Sequence, residues 1–126
     1  MLRKPIAYLE KRDFVTTITD GVMDANLVTS LRSSPVFVMF QSSMCHHCTM
    51  AKPAFQQLAD LGIVQCMTVQ ADGERQSERD IVPILNAIYP NFKGYPSFML
   101  FVRGQKIPYT GPRDVTSMKN FVSGYI

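Results

Sequence analysis

The sequence predicts an α/β domain: a mixed central β-sheet with helices on both faces. Three observations predict it. Val36–Phe40 and Phe98–Val102 are five-residue apolar runs, the mark of strands buried on both sides. Apolar residues at helical spacing fill the segments between and after them. Arg103-Gly104-Gln105 is a turn that folds the last two strands into a hairpin. Strand–helix alternation closed by a hairpin gives the order β-α-β-α-β-α-β-β-α.

Each element has its reason. Residues 14–19 (FVTTIT) are β-branched and aromatic and read as a strand. Asp20 is expected to cap a helix with Met23, Leu27, Val28 and Leu31 on one face, and Ser33-Ser34-Pro35 ends it. Val36–Phe40 follows as a strand. After QSSMCHHC, residues Ala51, Ala54, Phe55, Leu58 and Leu61 keep helical spacing until Gly62 stops it. Ile63–Val69 reads as a strand and Asp72–Arg79 as a polar loop. Asp80 is expected to cap a helix carrying Ile81, Ile84, Leu85 and Ile88, with Pro83 in its first turn. Phe98–Val102 and Lys106–Tyr109 form the hairpin. Asp114 caps a last helix with Met118, Phe121, Val122 and Tyr125 inward.

Composition narrows the function. The chain has 126 residues, one domain's length, and is 46% hydrophobic, enough to bury a core without help. Its formal charge of +3 is scattered, with no basic stripe interleaved with aromatics, so nucleic acid is not an expected partner. No apolar run is long enough to span a bilayer, so no membrane partner is expected either. Charges interrupt the N-terminus before any stretch of signal-peptide length, and SGYI is not a retention signal. The expected location is intracellular and cytoplasmic. Three cysteines exclude a disulfide scaffold.

Two of those cysteines, Cys45 and Cys48, stand where a buried strand runs through a short loop into a helix. Unpaired N–H groups and the positive end of the macrodipole favour an anion at Cys45. A thiolate is such an anion, so the site favours a reactive Cys45. Cys48 lies one turn on, within reach of a disulfide. A Cys-x-x-Cys beside a βαβ pattern reads as thiol–disulfide exchange.

The segment VFVMFQSSMCHHCTMAKP, together with GYPSFMLFVRGQKIPYTGPRDVTSMKNFV, resembles the thioredoxin superfamily and most closely a catalytic domain of the protein disulfide isomerases. The resemblance covers residues 14–126 and implies a thioredoxin-like fold there; residues 1–13 form an N-terminal extension with no assigned role. It implies that Cys45 is the nucleophile and Cys48 the buried resolving thiol. It implies that Pro53 kinks the active-site helix and that Pro96 is a cis-proline facing the disulfide, with Tyr95 and Pro96 contacting substrate. Met44 replaces the usual Trp before the nucleophile and borders an apolar docking surface. Arg113 matches the arginine that approaches the resolving cysteine, though it reads equally well as a surface arginine after a turn.

The departures carry chemistry too. His46-His47 stands between the cysteines where isomerases have Gly-His. The pair reads either as ordinary surface residues or as donors that stabilise the Cys45 thiolate and make the disulfide more oxidising. Met39 replaces the family's buried acid and Thr68 its lysine partner. Losing both is electrostatically consistent, because either alone is a costly buried charge. Cys66 reads as a small core residue.

The expected function is therefore a thiol–disulfide oxidoreductase exchanging disulfides with protein cysteines. It needs no cofactor and is recycled by a thiol reductase, an oxidase or glutathione. Two alternatives remain: a non-catalytic binding module, and a dimer bridging a metal or iron–sulfur cluster through Cys45 and Cys48. CHHC alone does not make a metal site, because one helix turn cannot aim four ligands at one ion.

Overall fold

The computed structural model describes residues 3–126. Its main sheet contains β1 (Ala7–Tyr8), β4 (Val36–Gln41), β5 (Gln65–Gln70), β6 (Ser97–Val102) and β7 (Gln105–Tyr109), in the spatial order β1-β5-β4-β6-β7. β1, β5 and β4 run parallel, while β6 and β7 are antiparallel. β2 (Phe14–Thr19) and β3 (Val22–Leu27) form a separate two-stranded hairpin. The helices are α1 (His46–Leu61), α2 (Gln76–Arg79), α3 (Leu85–Ile88) and α4 (Val115–Ser123).

β4 is buried along its whole length because both faces of the sheet are covered. Phe37 and Met39 point into a cluster with Phe55 and Leu58 of α1 and Met118 and Val122 of α4. Val36, Val38 and Phe40 face the opposite way, onto Phe14 and Leu27 of the hairpin and onto Ile84 and Leu85 at the start of α3. This explains the unbroken apolar run, since alternate residues serve two different cores.

The α-helix expected from Asp20 does not form; Val22–Leu27 are β3, and only Thr29–Leu31 make a 3₁₀ turn. Asp20 (φ 53°) and Gly21 (φ 77°) make a two-residue turn with both φ positive, whose twist matches a hairpin. Glycine takes that conformation at no steric cost. Phe14, Ala25 and Leu27 then bury one side of the hairpin base. Lys106 locks this hairpin onto the body. Its ammonium donates to Asp24 Oδ1 (2.8 Å), to the Ala25 carbonyl (2.7 Å) and to the Ala87 carbonyl (2.9 Å).

The helix expected from Asp80 is also shorter than its apolar spacing suggests. Asp80 ends α2, which lies within the segment expected to be a polar loop. A 3₁₀ turn, Val82–Ile84, then leads into α3. Pro83 has no N–H to donate back to Arg79, so a continuous helix across it loses a bond.

Within residues 3–13, given no role by the sequence, Ala7–Tyr8 joins the sheet as β1; residues 1 and 2 lie outside the described residues. Ala7 and Tyr8 pair with Met67 and Thr68, and the Leu9 N–H donates to the Thr68 carbonyl at 2.8 Å. Leu9 is buried in the core on the hairpin side. No helix among the described residues is long and apolar enough to cross a membrane.

Candidate active site

β4 delivers the chain into the loop 42–44, and Cys45 is the N-cap of α1. Cys45 and Cys48 are joined as a disulfide with Cα atoms 5.2 Å apart. The Cys48 N–H donates to Cys45 Sγ at 3.1 Å. That donor is one of the orphan N–H groups of a helix start, so Cys45 sulfur stands where the helix offers a hydrogen bond to negative charge. The pair is asymmetric. Cys48 is 0% exposed within the cluster of Phe37, Met39 and Phe55, whereas Cys45 is part-exposed. Met44 beside it is 91% exposed, and His46 and His47 are both exposed.

The loop before Cys45 is tied down by Asp72. The Ser43 N–H donates to Asp72 Oδ1 at 2.9 Å, the Ser43 hydroxyl to Oδ2, and Gln70 Nε2 to Oδ1 at 2.8 Å. These donors favour the carboxylate, the Ser43 hydroxyl most, and bring its pKa down to about 2. The sequence reading placed Asp72 in a polar loop and missed this part. Its only local signal is a carboxylate after a strand end, and the partner lies 29 residues away.

Tyr95–Pro96 is cis. Pro96 lies one residue beyond the last β4–β6 ladder pair, Phe40↔Ser97, so it borders the end of β4 from which the cysteine loop leaves. Tyr95 and Cys45 pack against the same buried cluster. A cavity of about 400 Å³ opens on Pro96 and is lined also by Tyr89, Phe98, Tyr109, Lys93 and Arg113. Arg113 is exposed on its rim and, among the described residues, donates no side-chain hydrogen bond and forms no ion pair within 4.0 Å. Pro53 sits inside α1, where it withholds one helical N–H.

Behind the cysteines, Met39 and Thr68 are direct partners in the parallel β4–β5 ladder. The Thr68 hydroxyl donates to the Met39 carbonyl at 2.7 Å. Its oxygen is thus left to accept, and Gln41 Nε2 donates to it at 2.7 Å. A carbonyl can only accept, so this chain fixes which end of the Gln41 amide faces Thr68. The other end, Gln41 Oε1, is buried with no partner. A cavity of about 350 Å³ reaches Met39, Gln41, Thr68, Lys52 and Pro53. Neutral residues, Met39 and Thr68, occupy this position, and among the described residues no three His, Cys, Asp or Glu converge into a metal site. Cys66 lies in β5, and burial pushes its thiol up to about 12, so it is inert at neutral pH.

A mixed sheet with a close cysteine pair at a helix N-terminus and a cis-proline near it defines a thioredoxin-type α/β domain. The family profile for thioredoxin matches residues 14–124. The chain belongs to the thioredoxin family. It is 32% identical to a protein named as thioredoxin-like, 453L of Invertebrate iridescent virus 6, across 96% of this chain and 94% of that protein. It is 29% identical to protein disulfide-isomerase 2-3 of Arabidopsis thaliana, across 68% of this chain but only 18% of that protein. Among solved structures it resembles the J-Trx1 fragment of ERdj5, with a TM-score of 0.66 at 21% identity; the alignment takes in 94% of this chain and spans 50% of that fragment.

Proposed function

We propose that the protein is a dithiol–disulfide oxidoreductase acting on protein cysteines. The observation that carries this reading is the asymmetry of the pair. Part-exposed Cys45 receives a helix-terminal N–H, and Cys48 is buried one turn behind it. The Cys45 thiolate attacks a sulfur of a substrate disulfide, and the far substrate sulfur leaves as a thiolate. Cys48, once deprotonated, attacks Cys45 Sγ and releases the second substrate thiolate. The two electrons come from the protein's dithiol, which becomes the disulfide. Run backwards, the same steps oxidise a substrate dithiol, and both directions together isomerise.

In a reducing cytoplasm, a thiol reductase or glutathione keeps the pair as dithiol, and reduction or isomerisation is the working direction. Met39 and Thr68 favour a second reading, a binding module with an idle dithiol, since Met39, which packs in the same cluster as Cys48, cannot take its proton. Insulin reduction followed by turbidity with dithiothreitol as electron source separates the two. Acceleration over dithiothreitol alone, lost in Cys45→Ser, supports the oxidoreductase; no acceleration overturns it.

A further inference from the structure

We propose that the cavity beside Pro96 receives the acidic flank of a cysteine-bearing peptide, with Lys93 and Arg113 reading its charge; this rests on the oxidoreductase reading above. The floor is apolar, built from buried Tyr89, Pro96, Phe98 and Tyr109. The lining contains two formal charges, Lys93 and Arg113, and no Asp or Glu. Both cations are exposed, and neither forms an ion pair within 4.0 Å among the described residues.

The carboxylates nearby lie outside the lining and are held by neutral donors, not by these cations. Asp114 follows Arg113 in the chain, but its oxygens accept from the Ser117 N–H (2.8 Å) and hydroxyl (2.9 Å) at the start of α4. Asp72, on the other flank of the disulfide loop, is held by Ser43 and Gln70. An incoming anion therefore meets two cations that no carboxylate among the described residues contacts, against an apolar wall that focuses their field; the single charge of Asp114, which reaches Tyr109 of the lining, offsets only part of it. His46 and His47, exposed beside Cys45, add no negative charge to the approach. A peptide joined to Cys45 and extended past Pro96 advances about 3.3 Å per residue, so residues a few positions from its cysteine reach this cavity.

The test uses the reduced full-length protein in single turnover with two peptide disulfides matched in sequence. One carries Glu and the other Lys at the positions flanking the cysteine. Each reaction consumes one protein dithiol and one peptide disulfide and yields the protein disulfide and two peptide thiols, so no external reductant enters. At low ionic strength the Glu peptide should react about tenfold faster. The ratio should fall towards one at about 1 M salt, where the screening length is about 3 Å. It should also fall in Lys93→Gln/Arg113→Gln and persist in Lys11→Gln/Lys119→Gln, which removes the same net charge elsewhere. Equal rates for the two peptides, or a ratio that both double variants reduce alike, overturn the acidic groove and leave the oxidoreductase standing. If neither peptide reacts, the oxidoreductase reading itself falls, and the groove proposal with it.

Discussion

Thr68 stands opposite Met39 in the β4–β5 ladder and joins its carbonyl to the Gln41 amide through one hydroxyl. Thr68→Val keeps the shape but leaves Gln41 Nε2 buried without an acceptor, at a cost of about 1–3 kcal/mol. Gln41→Leu alone should not destabilise, because it also removes the unpartnered Oε1. The double variant should recover most of the Thr68→Val loss. Urea unfolding of all four proteins gives the cycle, and strictly additive losses would show that the hydroxyl and the amide are not coupled.

This pair also marks the boundary of what the sequence discloses. β4, the cysteine helix and the closing hairpin are legible because local signals agree: an unbroken apolar run, helical spacing stopped by Gly62, a Gly turn. The segment 20–31 is not, since Met23, Leu27, Val28 and Leu31 fit a helix while Asp20-Gly21 fits a hairpin, and packing of Phe14 and Leu27 under the sheet decides for the hairpin. β1 has two residues and exists only because β5 offers it an edge. The Asp72–Ser43 and Gln41–Thr68 bonds join residues that the fold brings together, and no local pattern announces them.

Met39→Glu should expose what the family's acid would do here. The side chain is fully buried, and an unpaired carboxylate there costs about 3–5 kcal/mol at neutral pH. Adding Thr68→Lys, its ladder partner, should restore part of that stability and speed the decay of a preformed mixed disulfide by giving Cys48 a proton acceptor. Stopped-flow decay at the parent rate in the double variant would show that Cys48 ionisation does not limit resolution.

Asp72 gives an acid signature. Its pKa is lowered from 3.8 to about 2, chiefly by the Ser43 hydroxyl. A depressed folded-state pKa contributes stability above the unfolded value and loses it as pH falls through the folded value. The parent should therefore lose stability from about pH 4 down to about 2 more steeply than Asp72→Ala. In the variant, the Ser43 amide should exchange hydrogen faster, as its acceptor is gone. Parallel pH–stability curves would remove Asp72 from this role.

Cys48→Ser should accumulate mixed disulfides on Cys45, since attack begins but no second thiol completes it. Cys45→Ser should accumulate few, because the remaining sulfur is buried. Non-reducing gels after incubation with a peptide disulfide measure both, and equal trapping by the two variants would reverse the assignment of nucleophile and resolver.

Replacing His46-His47 with Gly-Pro should make the disulfide harder to reduce. The two imidazoles occupy the first helical positions after Cys45, with ring centroids 5.9 Å apart, where an N–H that donates to the Cys45 thiolate would add to the donors of the helix terminus. Hydrogen bonds to the thiolate stabilise the dithiol form, and a more stable dithiol means a more oxidising pair. Both rings are exposed, so water competes for them and each contribution is modest. For a two-electron couple, about 30 mV corresponds to 1.4 kcal/mol, so the shift should be a few tens of millivolts towards negative potential. Removing the two imidazoles, and with proline one helix-terminal N–H, should also slow the first attack by Cys45 at neutral pH, where less of it is ionised. Glutathione titration gives the potential, and iodoacetamide trapping against pH gives the thiolate fraction. A Gly-Pro variant with the parent's potential and the parent's alkylation profile would leave the helix terminus as the sole tuner of Cys45.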